Sequence, residues 1–344
     1  MHTKIPMGAL TAIVTPLAQD MSVDWDGLDR LSDFQISQGI SGIVPAGTTG
    51  ESPTLNEDEH KRLISEALCK KVFVLAGCGS NCTDEATNYV KHAVRSGANA
   101  VLLVDPYYNG PSSLEIRKEY YEPIASAFPD TAIIPYIIPG RTGCALSVED
   151  LAELSKEFPN ICGVKEATGD LVERMPLTRF LTLPEFQIFS GDDDKTFKMM
   201  TTPGISACGV ISVISNIAPA AVQEMCRAII LGDKTKAEMI EAKLSPLFKN
   251  VTVPAPRLIG KLAVIDKFRN PLAIKTMMNG LKMPAGPCRK PLGKMSQTGV
   301  QQVREALTKV WTQSPEILKP IEKFFSVDIS QRLADDSVWA KLAY

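Results

Sequence analysis

Histidine is almost missing from this chain: there are three in 344 residues, at positions 2, 60 and 92. One sits at the terminus and two fall in stretches of helical period, so neither a Ser-His-Asp site nor a histidine-rich metal site can be assembled from them. A charge excess is missing as well. The formal net charge is -2, with no long block of one sign, which excludes the electrostatic footprint of a nucleic-acid binder and offers nothing to an anionic membrane. No apolar run approaches the ~20 residues that cross a bilayer. The N-terminal "MGALTAIVTPLAQD" is broken by Pro16 and has no basic residue before it beyond Lys4. It reads as a first strand, not a signal peptide.

Compact cysteine patterns are lacking too. Eight cysteines, at 69, 78, 82, 144, 162, 208, 226 and 288, are scattered through apolar runs, as reduced core residues of a cytoplasmic protein are. Only Cys78 and Cys82 lie close together, and no second Cys or His cluster completes a zinc site, so no metal is expected. Nucleotide motifs fail on inspection. "GCGSNC" (77–82) lacks the last glycine of G-x-G-x-x-G, and "GPCRKPLGKM" (286–295) has neither the spacing nor the hydroxyl of a P-loop.

What is present is an ordinary globular balance, 44% apolar and 22% charged, in a chain long enough for one large α/β domain with an appendage. Strand-like runs alternate with stretches of helical period: "ALTAIVTPL" (9–17), "GIVPAG" (42–47), "VFVLAG" (72–77), "AVLLVDPYY" (100–108), "AIIPYIIP" (132–139), "CGVKEA" (162–167), "FQIFSG" (186–191) and "CGVISVI" (208–214). Capping-box pairs are expected at Asn56/Glu59, Ser112/Glu115 and Ser147/Asp150. Short connections between parallel strands need crossover helices, so eight such units predict a (β/α)8 TIM barrel over 1–232. A doubly wound sheet is the competing closure, and it would call for the glycine fingerprint that is missing. After about residue 232 the alternation stops. A C-terminal helical domain is expected over 233–313, with an extension of unknown role over 314–344.

The stretch "ICGVKEATGD" (161–170) puts Lys165 at the end of a short apolar strand. An ammonium ion is rarely buried without a partner. Either the charge escapes past the strand end or the site wants an uncharged amine. At the C-terminal ends of the other strands stand Thr48 and Thr49 in "GTTGE", the phenols Tyr107 and Tyr108, Tyr136, and Arg141 in "PGRTG", where barrel enzymes keep their chemistry. A neutral amine can form a Schiff base with a ketone. A phenol within reach can shuttle the protons that dehydration of the carbinolamine requires.

Taken together, "GTTGES", "DPYYNGPS", "PYIIPGRTG", "GVKEATG", "SGDD" and "GVISV" resemble the dihydrodipicolinate synthase branch of the pyruvate-dependent class I aldolases, which also contains N-acetylneuraminate lyase. The resemblance spans roughly residues 6–313. It implies a cofactor-free, metal-free cytoplasmic lyase of lysine and diaminopimelate biosynthesis that condenses pyruvate with L-aspartate 4-semialdehyde, assembled as a homotetramer of two tight dimers. Lys165 then corresponds to the Schiff-base lysine, Tyr136 to the proton-relaying tyrosine, and Thr48 to the hydroxyl linking it to Tyr108, which the family supplies from the neighbouring subunit. Thr49 helps hold the pyruvate carboxylate, Arg141 binds the carboxylate of the semialdehyde, and Gly191 and Ile211 are backbone positions around the pocket. In regulated relatives L-lysine inhibits from the tight-dimer interface, and Ser52, His60, Asn81, Glu85 and Tyr107 match that site. "GTTGE" with "GRTG" favours the synthase over a sugar-acid lyase; a non-catalytic metabolite-binding barrel is the reading from another class. The chain departs from the family at Ile137, where asparagine is usual, at about fourteen extra residues between Val251 and Asn270, and in the tail.

Overall fold

Side-chain alternation within short parallel strands decides the architecture. The computed structural model describes residues 4–344, so His2 lies outside the described residues. Eight strands form the barrel: β1 (Gly8–Ala12), β2 (Gly42–Val44), β3 (Phe73–Val74 and Ala76–Gly77, interrupted at Leu75), β4 (Ala100–Val104), β5 (Ala132–Ile137), β6 (Gly163–Glu166), β7 (Gln187–Ser190) and β8 (Gly209–Ser212). Neighbours pair in parallel, and β1 pairs with β8 through Leu10↔Ile211. The two pieces of β3 pair with β2 on one side and β4 on the other, bridged at Leu75 by its N–H to the Ile43 carbonyl at 3.0 Å. The ring is closed, as the run of eight strand-helix units predicts.

Period-two alternation then divides each strand between two layers. Leu10, Val44, Leu102, Ile134, Phe189 and Ile211 fill the barrel. Ala9, Ile43, Val101, Ile133, Val164 and Val210 face the helices. Ile5 closes the bottom by exchanging two backbone hydrogen bonds, each 2.9 Å, with the Gln187 amide.

The helices begin where capping residues stop the chain. Helices α1 (Trp25–Ser37), α2 (Glu57–Leu68) and α3 (Thr83–Arg95) follow β1, β2 and β3. Complete capping boxes form at Asn56/Glu59 and Ser112/Glu115. At Ser147 only half of one forms. The Ser147 hydroxyl accepts the Asp150 N–H at 3.1 Å, but the Asp150 carboxylate accepts from the Ser113 hydroxyl, and Ser113 takes the Ser147 N–H.

Beyond the helix Pro219–Ile230, the chain forms helices Lys234–Phe248, Leu272–Gly280 and Gln297–Gln313. The region is helical, as expected, with one addition, an antiparallel hairpin, β9 (Val253–Ile259) and β10 (Leu262–Phe268), registered from Val253↔Phe268 to Ile259↔Leu262. Pro254 and Pro256 forbid a helix there. Gly260, at φ +60, closes a two-residue turn that favours positive φ. The hairpin occupies the stretch between Val251 and Asn270 where about fourteen extra residues are expected. Its base is packed, with Val253 and Ala255 fully buried, while Leu258 and Leu262 at the tip are exposed.

The tail is ordered against the body. Phe324 and Phe325 lie 5.3 and 5.2 Å from the Phe34 ring of α1. Trp339 covers Gly280 so closely that a Cβ there would meet the indole at 2.1 Å. Arg332 donates to the carbonyls of Gly280 and Asn279 at 2.8 and 2.9 Å. No helix among the described residues is long and apolar enough to cross a membrane.

Candidate active site

The question posed by Lys165 is answered by its register. Tyr136 of β5 is the direct partner of Lys165 of β6, so both side chains point into the barrel mouth, while the next residue, Glu166, points outward to Arg174 at 3.0 Å. Lys165 is 6% exposed, and its Nζ lies 3.9 Å from the centroid of the Tyr136 ring. Burial pulls its ammonium down to about 7, against the opposing pull of the Asp192 and Asp193 carboxylates. The amine is therefore substantially neutral near physiological pH. Burial also pushes the Tyr136 phenol up, only partly offset by Arg141 and the Thr48 hydroxyl. It is a protonated phenol, suited to passing a proton without carrying a charge.

Gly191 makes room for the lysine. A Cβ at this position would stand 2.6 Å from the Ala167 Cβ and 3.3 Å from the Lys165 Cε. Its N–H is tied to the Glu166 carbonyl at 2.8 Å. Asp193, just beyond, is consumed by structure: it accepts the N–H groups of Val213 and Ile214 at 2.9 and 3.1 Å and the Ser212 hydroxyl. That leaves Asp192 as the carboxylate lining the lysine cavity.

The hydroxyl loop after β2 is held from the C-terminal helices. Glu51 adopts a left-handed backbone, φ +59, and its buried carboxylate takes the Lys275 ammonium at 2.7 Å and the Arg289 N–H at 2.8 Å. Lys275, 1% exposed, fills its remaining donor sites with the carbonyls of Thr15 and Pro287 at 3.0 and 2.7 Å. The Asn270 amide donates to the Thr49 hydroxyl at 3.0 Å. These bonds fix the turn that presents Thr48 and Thr49 to the mouth.

A cavity of about 560 Å³ results, lined by Thr48, Thr49, Tyr136, Arg141, Lys165 and Gly191 among others. Six of the sequence-derived residues thus converge. A smaller chamber of about 190 Å³ shares Thr48, Tyr136 and Arg141 and adds Ser52 and Tyr107. Arg141 crosses the mouth, its Nη2 donating to the Asn270 carbonyl at 2.8 Å.

Other sequence-derived residues lie elsewhere. Ile211 fills the barrel interior and does not line the cavity. Tyr108 is 91% exposed, held out of the cavity by a left-handed backbone at φ +80. His60 is buried, stacked on Tyr89 at 3.8 Å between centroids, with burial lowering its pKa to about 4. The Tyr89 hydroxyl donates to Glu85 at 3.4 Å, and Glu85 also takes the Ser80 hydroxyl. Asn81 is exposed beside them. Ile137, the departure singled out from sequence, faces the helix layer; it is Ile138 that reaches the cavity wall.

Sequence reasoning missed Asp192, Asn270 and the Lys275–Glu51 pair. Asp192 had a signal, an acid immediately past a strand end. The others arrive from the C-terminal region through contacts more than 200 residues apart in sequence, which no local pattern announces.

Comparison with known proteins gives a consistent picture. The model of the dihydrodipicolinate synthetase family matches residues 6–310. The 4-hydroxy-tetrahydrodipicolinate synthase of Methanothrix thermoacetophila is 38% identical over 304 residues, covering 88% of this chain and 96% of the relative. The chloride-inhibited dihydrodipicolinate synthase of Acinetobacter baumannii, solved with pyruvate, superposes with a TM-score of 0.78 at 34% identity, covering 88% of this chain and 98% of that one. A lysine-bound DHDPS from Cyanidioschyzon merolae gives 0.80 at 32% identity, covering 90% and 99%.

Proposed function

Because the chain belongs to the dihydrodipicolinate synthetase family, we propose that the barrel mouth condenses pyruvate with L-aspartate 4-semialdehyde through an imine on Lys165, making the protein a lyase of lysine and diaminopimelate biosynthesis. The observation that carries the reading is a buried amine, drawn down to about 7, over the ring of a protonated tyrosine.

Neutral Lys165 attacks the pyruvate ketone, and Tyr136 passes protons as the carbinolamine loses one water and becomes an imine. Loss of a methyl proton gives the enamine, whose carbon attacks the aldehyde. The amine of the joined product then adds to the imine carbon and displaces Lys165, which closes the ring and regenerates the enzyme with one water released overall. Thr48 orients the Tyr136 phenol, Thr49 holds the pyruvate carboxylate, and Arg141 holds the carboxylate of the semialdehyde as a charge-assisted pair. Gly191 supplies backbone at the pocket wall, while Ile211 packs in the barrel interior. No metal or organic cofactor enters this scheme.

Tyr108 completes the relay in a neighbouring copy, within a homotetramer built from tight dimers. Its exposure and held backbone support that role. L-lysine regulates at the chamber lined by Ser52 and Tyr107, together with Asn81, Glu85 and His60, a reading supported by the lysine-bound relative.

Coupled assays with pyruvate and each candidate acceptor test the reading. Turnover with aspartate semialdehyde that disappears in Lys165→Ala is expected; preferential cleavage of N-acetylneuraminate or a 2-keto-3-deoxy sugar acid would overturn it.

A further inference from the structure

The hairpin is wired into the mouth of the lysine cavity. At its foot, two arginines cross-brace neighbouring segments: Arg141 donates to the Asn270 carbonyl at 2.8 Å, and Arg269 donates to the Gly140 carbonyl at 2.8 Å. The residue carrying each guanidinium is thus adjacent to the carbonyl that the other one grips. The same foot sends the Asn270 amide to Thr49. Any displacement of residues 268–270 therefore moves Arg141 and the hydroxyl loop together.

The foot also brings charge. Lys249, Lys267 and Arg269 line the cavity beside Arg141, and none of the three has a carboxylate partner among the described residues. Higher on the hairpin the pattern differs, because Arg257 is neutralised by Asp266 at 2.6 Å. The mouth thus holds four cations around a single lining carboxylate, Asp192. A cleft lined by one sign focuses its field and concentrates ions of the opposite sign. A planar guanidinium adds geometric recognition of a carboxylate.

We propose that Arg269 is a second acceptor-recognition residue: with Arg141 it forms a two-guanidinium clamp on the carboxylate of the incoming aldehyde, and Lys267 adds charge at the same rim. This rests on the acceptor site assigned above and deepens it, since it makes the inserted hairpin part of the active site. Arg269 has both a positioning role, through Gly140 on the Arg141 loop, and a direct one, through its remaining N–H groups.

The test is steady-state kinetics in both substrates on wild type, Arg269→Ala, Arg269→Lys and Lys267→Ala, with borohydride trapping of pyruvate alongside. In Arg269→Ala the KM for the aldehyde should rise about tenfold while kcat and the KM for pyruvate stay within about twofold. Arg269→Lys should recover part of the loss. Lys267→Ala should shift the same constant in the same direction, which keeps the test decisive if Arg269→Ala folds poorly. Added salt should raise the aldehyde KM more in wild type than in Arg269→Ala. An unchanged aldehyde KM in both alanine variants, or an equal rise for both substrates, overturns the clamp. Trapping separates the two levels: wild type that fails to trap pyruvate refutes the imine reading itself, whereas normal trapping with an unmoved aldehyde KM refutes only the role of Arg269.

Discussion

Tyr136 and Lys165 are cross-strand partners whose side chains meet inside the barrel mouth, the amine 3.9 Å from the ring centroid. Register alone creates this contact. A slip of one residue on β6 would turn Lys165 to the helix layer and bring Glu166 inward. The environment created there removes water from the ammonium, and the ring face replaces only part of the lost solvation.

The first prediction concerns pH. With the amine at about 7 in the folded enzyme, kcat/KM for pyruvate should climb as pH rises through 7 and level off above it. A profile that is flat from pH 6 to about 9 would contradict a lysine titrating there.

A linked stability effect has a definite sign. Lys165 drops from an ordinary 10.5 to about 7 on folding, so between those values the unfolded chain binds the extra proton and the folded state gains stability as pH rises. Lys165→Met should therefore be more stable than wild type at pH 7, with the gap narrowing toward pH ~10. Chemical denaturation of both proteins across that range measures it. A gap that widens with pH would be the wrong sign.

Gly191→Ala should hurt chemistry out of proportion to its size. The new Cβ presses on Ala167 and on Lys165 Cε, so the destabilisation should be roughly 1–3 kcal/mol while imine trapping slows at least about tenfold. Trapping at the wild-type rate would show that the lysine does not need this space.

Breaking the buried pair behind the hydroxyl loop should be costly. Lys275→Met strands Glu51, whose carboxylate is almost fully buried, and should lose about 3–5 kcal/mol. Removing the Arg257–Asp266 pair by Arg257→Ala should cost far less, because solvent and salt screen a pair at the surface. Urea midpoints of the two variants compare them directly, and equal losses would refute the ranking.

Lysine regulation is the fifth point. Initial rates at saturating pyruvate should fall with millimolar L-lysine, and Glu85→Thr should weaken the effect. Inhibition that survives Glu85→Thr unaltered would move the site elsewhere.

Much of this was legible in the residues. Strand count, barrel closure and the inward lysine follow from period-two runs that repeat eight times, and two of three capping boxes formed because Asn56 and Ser112 each have a glutamate in reach, Glu59 keeping its bond to the Asn56 N–H even while it takes Arg289. Ser147 failed because Ser113, from the preceding helical segment, competes for both partners, a tertiary contact invisible locally. The hairpin was hidden for another reason. Its tip buries little, so its apolar residues do not alternate with polar ones as a half-buried strand would. Asn270 and Lys275 became site residues only through the closure of the C-terminal helices over the hydroxyl loop.

Borohydride reduction in the presence of pyruvate, followed by peptide mass mapping, bears most directly on the central claim. A stable pyruvate-derived mass increment on the peptide carrying Lys165 is predicted, absent without pyruvate and absent in Lys165→Ala. An unlabelled wild-type protein that still turns over both substrates, or an increment on a different lysine, would contradict it.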